Sequence, residues 1–500
     1  MISGRVSAIF DVSQTNFTCE KTKEDHIMKM ALKIALVAGV LIFLVSFSFS
    51  KQEEADLAIT NVSIIDVKGG PTKTHMTVLI EGNRIIAISD SDKIRITENT
   101  GRIDGTDKFL IPGLWDMHVH WYEKDYLPLF MANGVVGIRI MWGYPVHFEW
   151  REKSQEDELL CPRMVISSPI IDGPDSGRGS IIVSNKSEAR IIINLVEKAG
   201  YDFIKVYTDL TPNVFFAIAD ESKKLGIPFA GHLPWRVTLL EASNAGQKSI
   251  EHLISDDIYL ACSSLEDEIH KEWIENIQNN IPFNRKKEEE NKRKIKESFD
   301  DNKAKSLFAS LRENNTWFCP TIIVDKHKYL PETMLLAYDS LFKYLPLDFW
   351  NRKKQEIHNR IQRNKDRVSM LKNDFQEKLD TLYLMHQNGV KFIAGTDTYA
   401  PYCPPGFCLH GELELFVEAG FSPLESLQTA TINAAIFNGS EDSFGTVEVD
   451  KIADLVLLEA NPLDNIQNTK KINAVIYNGK AFRKSDLQNM LNDIEALVNK

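Results

Sequence analysis

The chain has 500 residues, 43% hydrophobic and 26% charged, with a formal net charge of −12 at pH 7. Those fractions belong to ordinary globular proteins and exclude wholesale disorder or a polytopic membrane protein. The acidic balance argues against a nucleic-acid partner, because no excess of Lys and Arg is present to neutralise a phosphate backbone.

Residues 1–50 read as a leader. Lys29 and Lys33 precede an uncharged run over 34–50 whose apolar heart is 34–45. That core fits the hydrophobic region of a signal peptide and falls short of the ~20 apolar residues that span a bilayer. Ser48-Phe49-Ser50 offers small residues where a signal peptidase reads, so the mature chain is expected to start at Lys51 and to be secreted or periplasmic. The alternative is an uncleaved helix anchoring the chain to a membrane. Residues 1–27 lack the texture of a signal-peptide start, which moves the expected translation start to Met28 or Met30. Of six cysteines, Cys19 falls in the leader, leaving Cys161, Cys262, Cys319, Cys403 and Cys408. An odd number leaves at least one thiol free unless a bridge joins two chains. Cys403 and Cys408 flank Pro404-Pro405-Gly406, where a bridge and two free thiols are equally open readings.

After the leader, residues 57–66 and 76–88 read as β-branched strands with turns at Gly69-Gly70-Pro71 and Gly82-Asn83. The same texture returns at 445–449, 453–458 and 474–477. Residues 51–111 and 445–484 are therefore expected to assemble one small, discontinuous β-sandwich. Between them strands and helices alternate, as in βα units with a buried parallel sheet. Eight strands are expected at 113–118, 135–140, 163–167, 203–206, 228–232, 248–252, 317–323 and 391–397, giving a (β/α)8 TIM barrel over 112–444. Helical insertions are expected around 255–315, where the Lys/Glu-rich stretch 285–305 is a solvated surface, and around 330–388. A C-terminal helix is expected over 485–500.

The chemistry-bearing residues fall at the ends of those strands, where barrel enzymes keep their sites. PGLWDMHVH at 112–120 ends an apolar strand on His118 and His120, and residues two apart on a strand point the same way. Lys205 lies inside the apolar strand Phe203-Ile204-Lys205-Val206-Tyr207, which is costly unless its amine is neutralised or paired. His232 and His252 each close a strand, and Asp397 closes the last. Each has a bland reading: a lone His-x-His carries little weight, a buried His usually bonds a carbonyl, and a strand-end Asp often caps the next helix. All six, in order, at the strand ends of one alternating pattern, point instead to a site for Zn²⁺ or a similar divalent ion.

That ordered set resembles the amidohydrolase superfamily, in its branch of imidazolonepropionase-like enzymes and metal-dependent Xaa-Pro dipeptidases (prolidases). The likeness covers roughly residues 55–482 and extends to His410-Gly411-Glu412-Leu413, to EAGFSPLESLQTATINAA at 418–435, to Ala453-Asp454-Leu455-Val456 and to Asn461-Pro462-Leu463. The resemblance implies that His118, His120 and Asp397 bind one metal ion and that His232 and His252 bind a second. Lys205, carboxylated by CO₂, would bridge the two ions, with Asp397 also as the catalytic proton carrier. Tyr207 and His410, in matching segments, are candidate substrate contacts. One departure is Arg139-Ile140, where relatives often carry Arg-Asp, which puts a supporting polar contact in doubt. The activity implied is hydrolysis of an amide or dipeptide bond in a small molecule. Two other readings stay open: a single-metal hydrolase of a cyclic amide with Lys205 uninvolved, and a secreted binding protein on a retired barrel.

Overall fold

The computed structural model describes residues 28, 30, 55–176, 181–279, 281–282, 284–398 and 404–498. The expected signal segment, its cleavage point and Cys403 lie outside those residues. The chain divides into two units, residues 1–54 with 92–98 and residues 55–91 with 99–500. In the first, the described residues are Met28 and Met30, both helical and exposed, and the short stretch 92–98, which leaves a 3-10 turn at Ser91–Lys93 and is then irregular. The second holds the sheets and the site.

Five strands open this unit: β1 (Leu57–Ile64), β2 (Lys73–Glu81), β3 (Arg84–Asp90), β4 (Gly101–Asp104) and β5 (Phe109–Pro112). The barrel follows with β6 (Leu114–Val119), β7 (Val135–Ile140), β8 (Arg163–Ile166), the short β9 (Ile171–Asp172) and β10 (Ile181–Ile182), β11 (Ile204–Val206), β12 (Phe229–Gly231), β13 (Ser249–Glu251), β14 (Trp317–Cys319) and β15 (Lys391–Phe392). Then come β16 (Leu455–Leu458), β17 (Ile472–Tyr477) and β18 (Lys480–Arg483), and a final helix, Lys484–Val498.

The two ends of this unit form one hydrogen-bonded sheet in the order β18-β17-β16-β5-β1-β2-β3, with β4 paired to β1. The expected sandwich is thus a single continuous sheet around its own apolar cluster. Side-chain alternation splits its strands between two cores. Leu110, Leu455, Leu457, Ala474 and Ile476 pack within the sheet's cluster, whereas Ile111, Val456 and Leu458 join the large cluster that fills the barrel layers. Residues 445–449, expected as a strand, are irregular, and β4, β5 and β18 arise outside the expected strands.

The eight expected barrel strands are present as β6, β7, β8 and β11 to β15, all parallel where they pair. Two gaps in the ladder are bridged by a few backbone contacts outside the named strands. Ser168 N–H donates to Phe203 O (2.8 Å), joining β8 to β11, and Met117 N–H donates to Ala394 O (2.8 Å), joining the last strand to β6. The result is a TIM-barrel-like α/β fold. Two strands end earlier than their apolar runs. Pro320 has no N–H to extend β14, Thr321 turns left-handed at φ 49, and a helix starts at Ile322. Beyond β15, the Asp116 carboxylate takes the N–H of Thr396 (3.0 Å), replacing a ladder bond with a side-chain bond. Helices Ser255–Ala261, Glu266–Gln278, Arg285–Glu297 and Asp301–Glu313 fill the interval between β13 and β14. Among the described residues, no helix is long and apolar enough to cross a membrane.

Candidate metal centre

The six residues singled out at strand ends converge. His118 is the penultimate residue of β6 and His120 follows it; Lys205 is central in β11; His232 and His252 directly follow β12 and β13, and Asp397 lies five residues beyond β15. His118 Nε2 stands 3.2 Å from His120 Nε2 and 3.4 Å from Asp397 Oδ1, and His120 Nε2 stands 3.2 Å from the same oxygen. The His252 ring centroid is 4.8 Å from His118 on one side and 4.8 Å from His232 on the other. The ligand atoms of His118, His252 and Asp397 all lie within 4.8 Å of one another.

Backbone geometry makes this convergence possible. His252, Thr321 and Asp397 all adopt left-handed φ (68, 49 and 53°), a conformation that costs non-glycine residues of the order of 1 kcal/mol each and concentrates at functional sites. Gly395 is obligatory, since a Cβ there would sit 2.5 Å from Cys319 Sγ and 2.7 Å from His118 Cβ. Gly231 lets the chain pass Val206, whose carbonyl oxygen a Cβ would approach to 2.1 Å.

Supporting contacts fix the imidazole tautomers. His118 Nδ1 donates to Glu251 Oε2 (2.8 Å), and Glu251 is gripped by Arg139 Nη2 through both oxygens (2.8 Å each). Arg139 also donates to Met117 O (2.5 Å) and Ser249 Oγ (3.0 Å). With its proton on Nδ1, His118 turns the Nε2 lone pair toward His120 and Asp397, the usual arrangement of a metal-binding histidine. His252 Nδ1 is likewise held by Thr321 Oγ1 (2.7 Å). Tyr207 stacks on His232 at 3.9 Å between ring centroids, so it orients a site histidine as well as lining the cleft.

Electrostatics select neutral imidazoles and a weakly basic amine. Burial pushes His118 down to about 4 and His252 down to about 3. Burial and the Lys205 charge take His232 well below its ordinary value. Lys205 is lowered to about 8 by burial, against the opposing pull of Glu251. For Asp397, burial acts upward, but the His120 hydrogen bond and the neighbouring imidazoles hold the carboxyl below the usual carboxylate range. Asp116, behind His118, is pushed up to about 7 by burial, although Thr396 donates to it twice.

These residues fit a divalent ion. A tetrahedral site with bonds of about 2.0–2.1 Å has ligand–ligand edges of about 3.3–3.4 Å, close to the three separations among His118, His120 and Asp397. Among the described residues, Lys205 Nζ is buried without a hydrogen-bond partner, and so is His120 Nδ1. A buried ammonium with no partner, among histidines that are themselves metal ligands in type, is a poor resting state.

Two expectations change. His410 does not reach the site: it lies buried in the helix Phe407–Glu418, bonded to Thr469 Oγ1 (3.0 Å) and Asn133 O (3.2 Å), and is a structural residue. The Arg139 contact put in doubt by Ile140 is made after all, by Glu251 from β13. Glu251 escaped the sequence reading, although the logic applied to Lys205, a charge inside an apolar strand, would have found it. Cys161, Cys262, Cys319 and Cys408 are buried free thiols.

His120, His232, His252 and Asp397 open into a cleft of about 550 Å³, which also holds Tyr122, Trp142 and Trp235. Lys328 and Lys378 line it as well and pair with Asp325 (3.7 and 3.0 Å).

Solved structures share this architecture. A protein from Bifidobacterium longum proposed as a prolidase is 24% identical, with TM-score 0.60, over 88% of this chain and 98% of that one. A bottromycin amidohydrolase is 19% identical, with TM-score 0.68, over 88% and 90%. A Xaa-Pro dipeptidase with methionine bound in its active site is 20% identical, with TM-score 0.59, over 85% and 99%. Likeness at these identities establishes the fold. No curated protein matches the sequence significantly. The amidohydrolase family profile, in contrast, matches residues 109–482, from the start of β5 into β18, and the chain belongs to the amidohydrolase family.

Proposed function

We propose that this amidohydrolase cleaves the amide bond of a dipeptide or an N-acyl amino acid, using two divalent ions, zinc by the character of the donor set. The observation that carries the reading is the close triangle of His118, His120 and Asp397 beside the Lys205 amine, which is buried without a hydrogen-bond partner among the described residues. His118, His120 and Asp397 would hold one ion, His232 and His252 the other, with Lys205 between them. A neutral Lys205 amine adds to CO₂, forming an N–C bond and releasing a proton, and the resulting carbamate is an anionic two-oxygen donor. When bound, the ions polarise the scissile carbonyl and acidify water.

The chain's own residues complete the reaction. Asp397, held ionised at neutral pH, accepts a proton from the attacking water and returns it to the departing nitrogen. Glu251 and Arg139 keep the His118 lone pair aimed inward. Tyr207 keeps the His232 ring in place by stacking. Lys328, half exposed in the cleft, supplies positive charge for a substrate carboxylate.

Screening metal-loaded protein against a dipeptide and N-acyl amino acid library, with elemental analysis of the same preparation, tests the proposal. The expected result is turnover with close to two ions per chain, a content set by the six ligand residues. Active protein with a stable content near one ion would instead support the single-metal reading and remove Lys205 from the centre.

A further inference from the structure

The active-site cleft does not end at the metal centre. Leu233, Leu239, Trp235 and Asp257 line it and also line a narrow neck of about 30 Å³. Trp235 and Trp273 then lead from that neck into a groove of about 610 Å³ beside the helices Glu266–Gln278 and Arg285–Glu297. Trp235 borders all three spaces and is 49% exposed, unusual for so large an apolar side chain.

The groove's chemistry is that of a surface for peptide rather than for an anionic ligand. Its walls combine the rings of Trp235 and Trp273 with Ile281 and Pro282, and its polar groups include Asn276 and Asn284. Its lysine, Lys287, pairs with Glu272 at 3.3 Å, and Glu288 adds a further carboxylate to the lining, so the groove repels anions and accepts a neutral or amino-terminal stretch of peptide. Indole rings combine a large apolar face with an N–H donor, which suits apolar side chains on a polar backbone. A second, independent feature lies in the neck. His270 lines it, and its Nε2 atom is buried without a hydrogen-bond partner among the described residues. Buried imidazole nitrogens are normally satisfied, so this one calls for a polar atom supplied from outside.

We propose that this groove is a distal subsite for the peptide chain beyond the scissile bond, and that the preferred substrates are oligopeptides with apolar residues rather than free dipeptides. The inference rests on the amide-hydrolase reading for its direction. Continuity with the cleft through Trp235 identifies the occupant as the far part of the substrate. The His270 nitrogen provides a contact for a polar group that the chain presents to the neck as it crosses the exposed face of Trp235.

Two measurements on the full metal-loaded chain test it. In the first, leucyl-proline is compared with tetrapeptides that extend it by phenylalanyl-leucine at either end, and cleavage of the leucyl–proline bond is read by mass spectrometry. The kcat/KM ratio of the better tetrapeptide to the dipeptide should be about tenfold or more and should fall toward one in Trp273→Ala, the scale of one well-packed aromatic contact. General destabilisation would lower both values and leave their ratio intact. In the second, the reduced-amide analogues of the same peptides are titrated by calorimetry, which needs no turnover. The long analogue should bind about tenfold more tightly than the short one, an advantage that Trp273→Ala removes. Equal binding of short and long analogues overturns the subsite even if dipeptides are hydrolysed. A length advantage in binding with no turnover of any peptide overturns the amide-hydrolase reading and leaves the subsite standing. A concentration-dependent dimer abolished by Trp273→Ala would assign the groove to a second copy of the chain and overturn the proposal.

Discussion

Asp397 presents one carboxylate oxygen to two imidazole nitrogens while its backbone sits at φ 53. A helix-capping aspartate needs neither feature. If it carries the proton, Asp397→Asn, which keeps size and one oxygen, lowers kcat by at least about two orders of magnitude, the usual contribution of a positioned acid–base group. Bound metal should fall much less, and kcat and metal content measured on one preparation check both statements. A cap alone would predict near-normal turnover and a stability loss of about 1 kcal/mol or less. For Lys205, removal of the amine removes the bridge. Lys205→Ala should be inactive and regain partial activity with added acetate or propionate, which can replace the carbamate oxygens. Kinetics in acetate titrations check this, and a variant that is equally inactive at all concentrations would count against the bridge. Lys205 was legible in the sequence because burying a charge in an apolar strand is expensive and therefore informative, and Asp397 because it closes the last strand of the alternating pattern. The tautomer control through Glu251 and Thr321 was not, because it depends on which strands become neighbours.

Element boundaries were set by side chains as much as by runs of apolar residues. The run 135–140 reads directly as β7, since a parallel strand buried on both faces is apolar throughout. The run 317–323 does not, because a proline and a left-handed threonine hand it over to a helix after three residues. The helix Phe407–Glu418 shows the same limit for function: His410 lies within a motif shared with the family, yet its ring bonds Thr469 and Asn133 in the protein interior. Its role is testable through pH. Burial, with the Lys470 charge, lowers His410 to about 4, below its ordinary value of 6.5. Between those values the unfolded chain binds a proton that the folded chain refuses, so unfolding is favoured as pH falls. The contribution is fully present above about pH 6.5 and is lost progressively toward pH 4. Denaturant titrations at pH 7 and pH 4 should show His410→Gln losing about 3 kcal/mol less stability over that interval than the native chain. Equal losses would mean that the ring is protonated in the fold.

At the scale of the whole molecule, the barrel was foreseeable from alternating texture, and so was a β piece drawn from both ends of the barrel sequence. Its arrangement as one sheet was not, because β5 was hidden in a four-residue segment, Phe109–Pro112, that leads directly into β6. That segment pairs Ile111 with Val456 and Leu110 with Leu457. The pairing has a consequence for synthesis. At the usual 5–20 residues per second, a ribosome needs on the order of tens of seconds after making β5 to make β16. Throughout that interval β5 has an open edge where β16 will later pair, and Leu110 and Ile111 lack their later neighbours, a condition that invites mispairing with other chains. Closing so long a loop also slows folding after release from the ribosome. A circular permutant that opens in the helical interval between β13 and β14, and joins residues 498 and 55 through a flexible linker, would deliver β16 and β1 in one continuous stretch. It should refold faster and leave less aggregate than the native order of the same residues, as stopped-flow fluorescence and light scattering would record. The timetable of translation, rather than the strength of any contact, is then what this chain's connectivity makes most demanding.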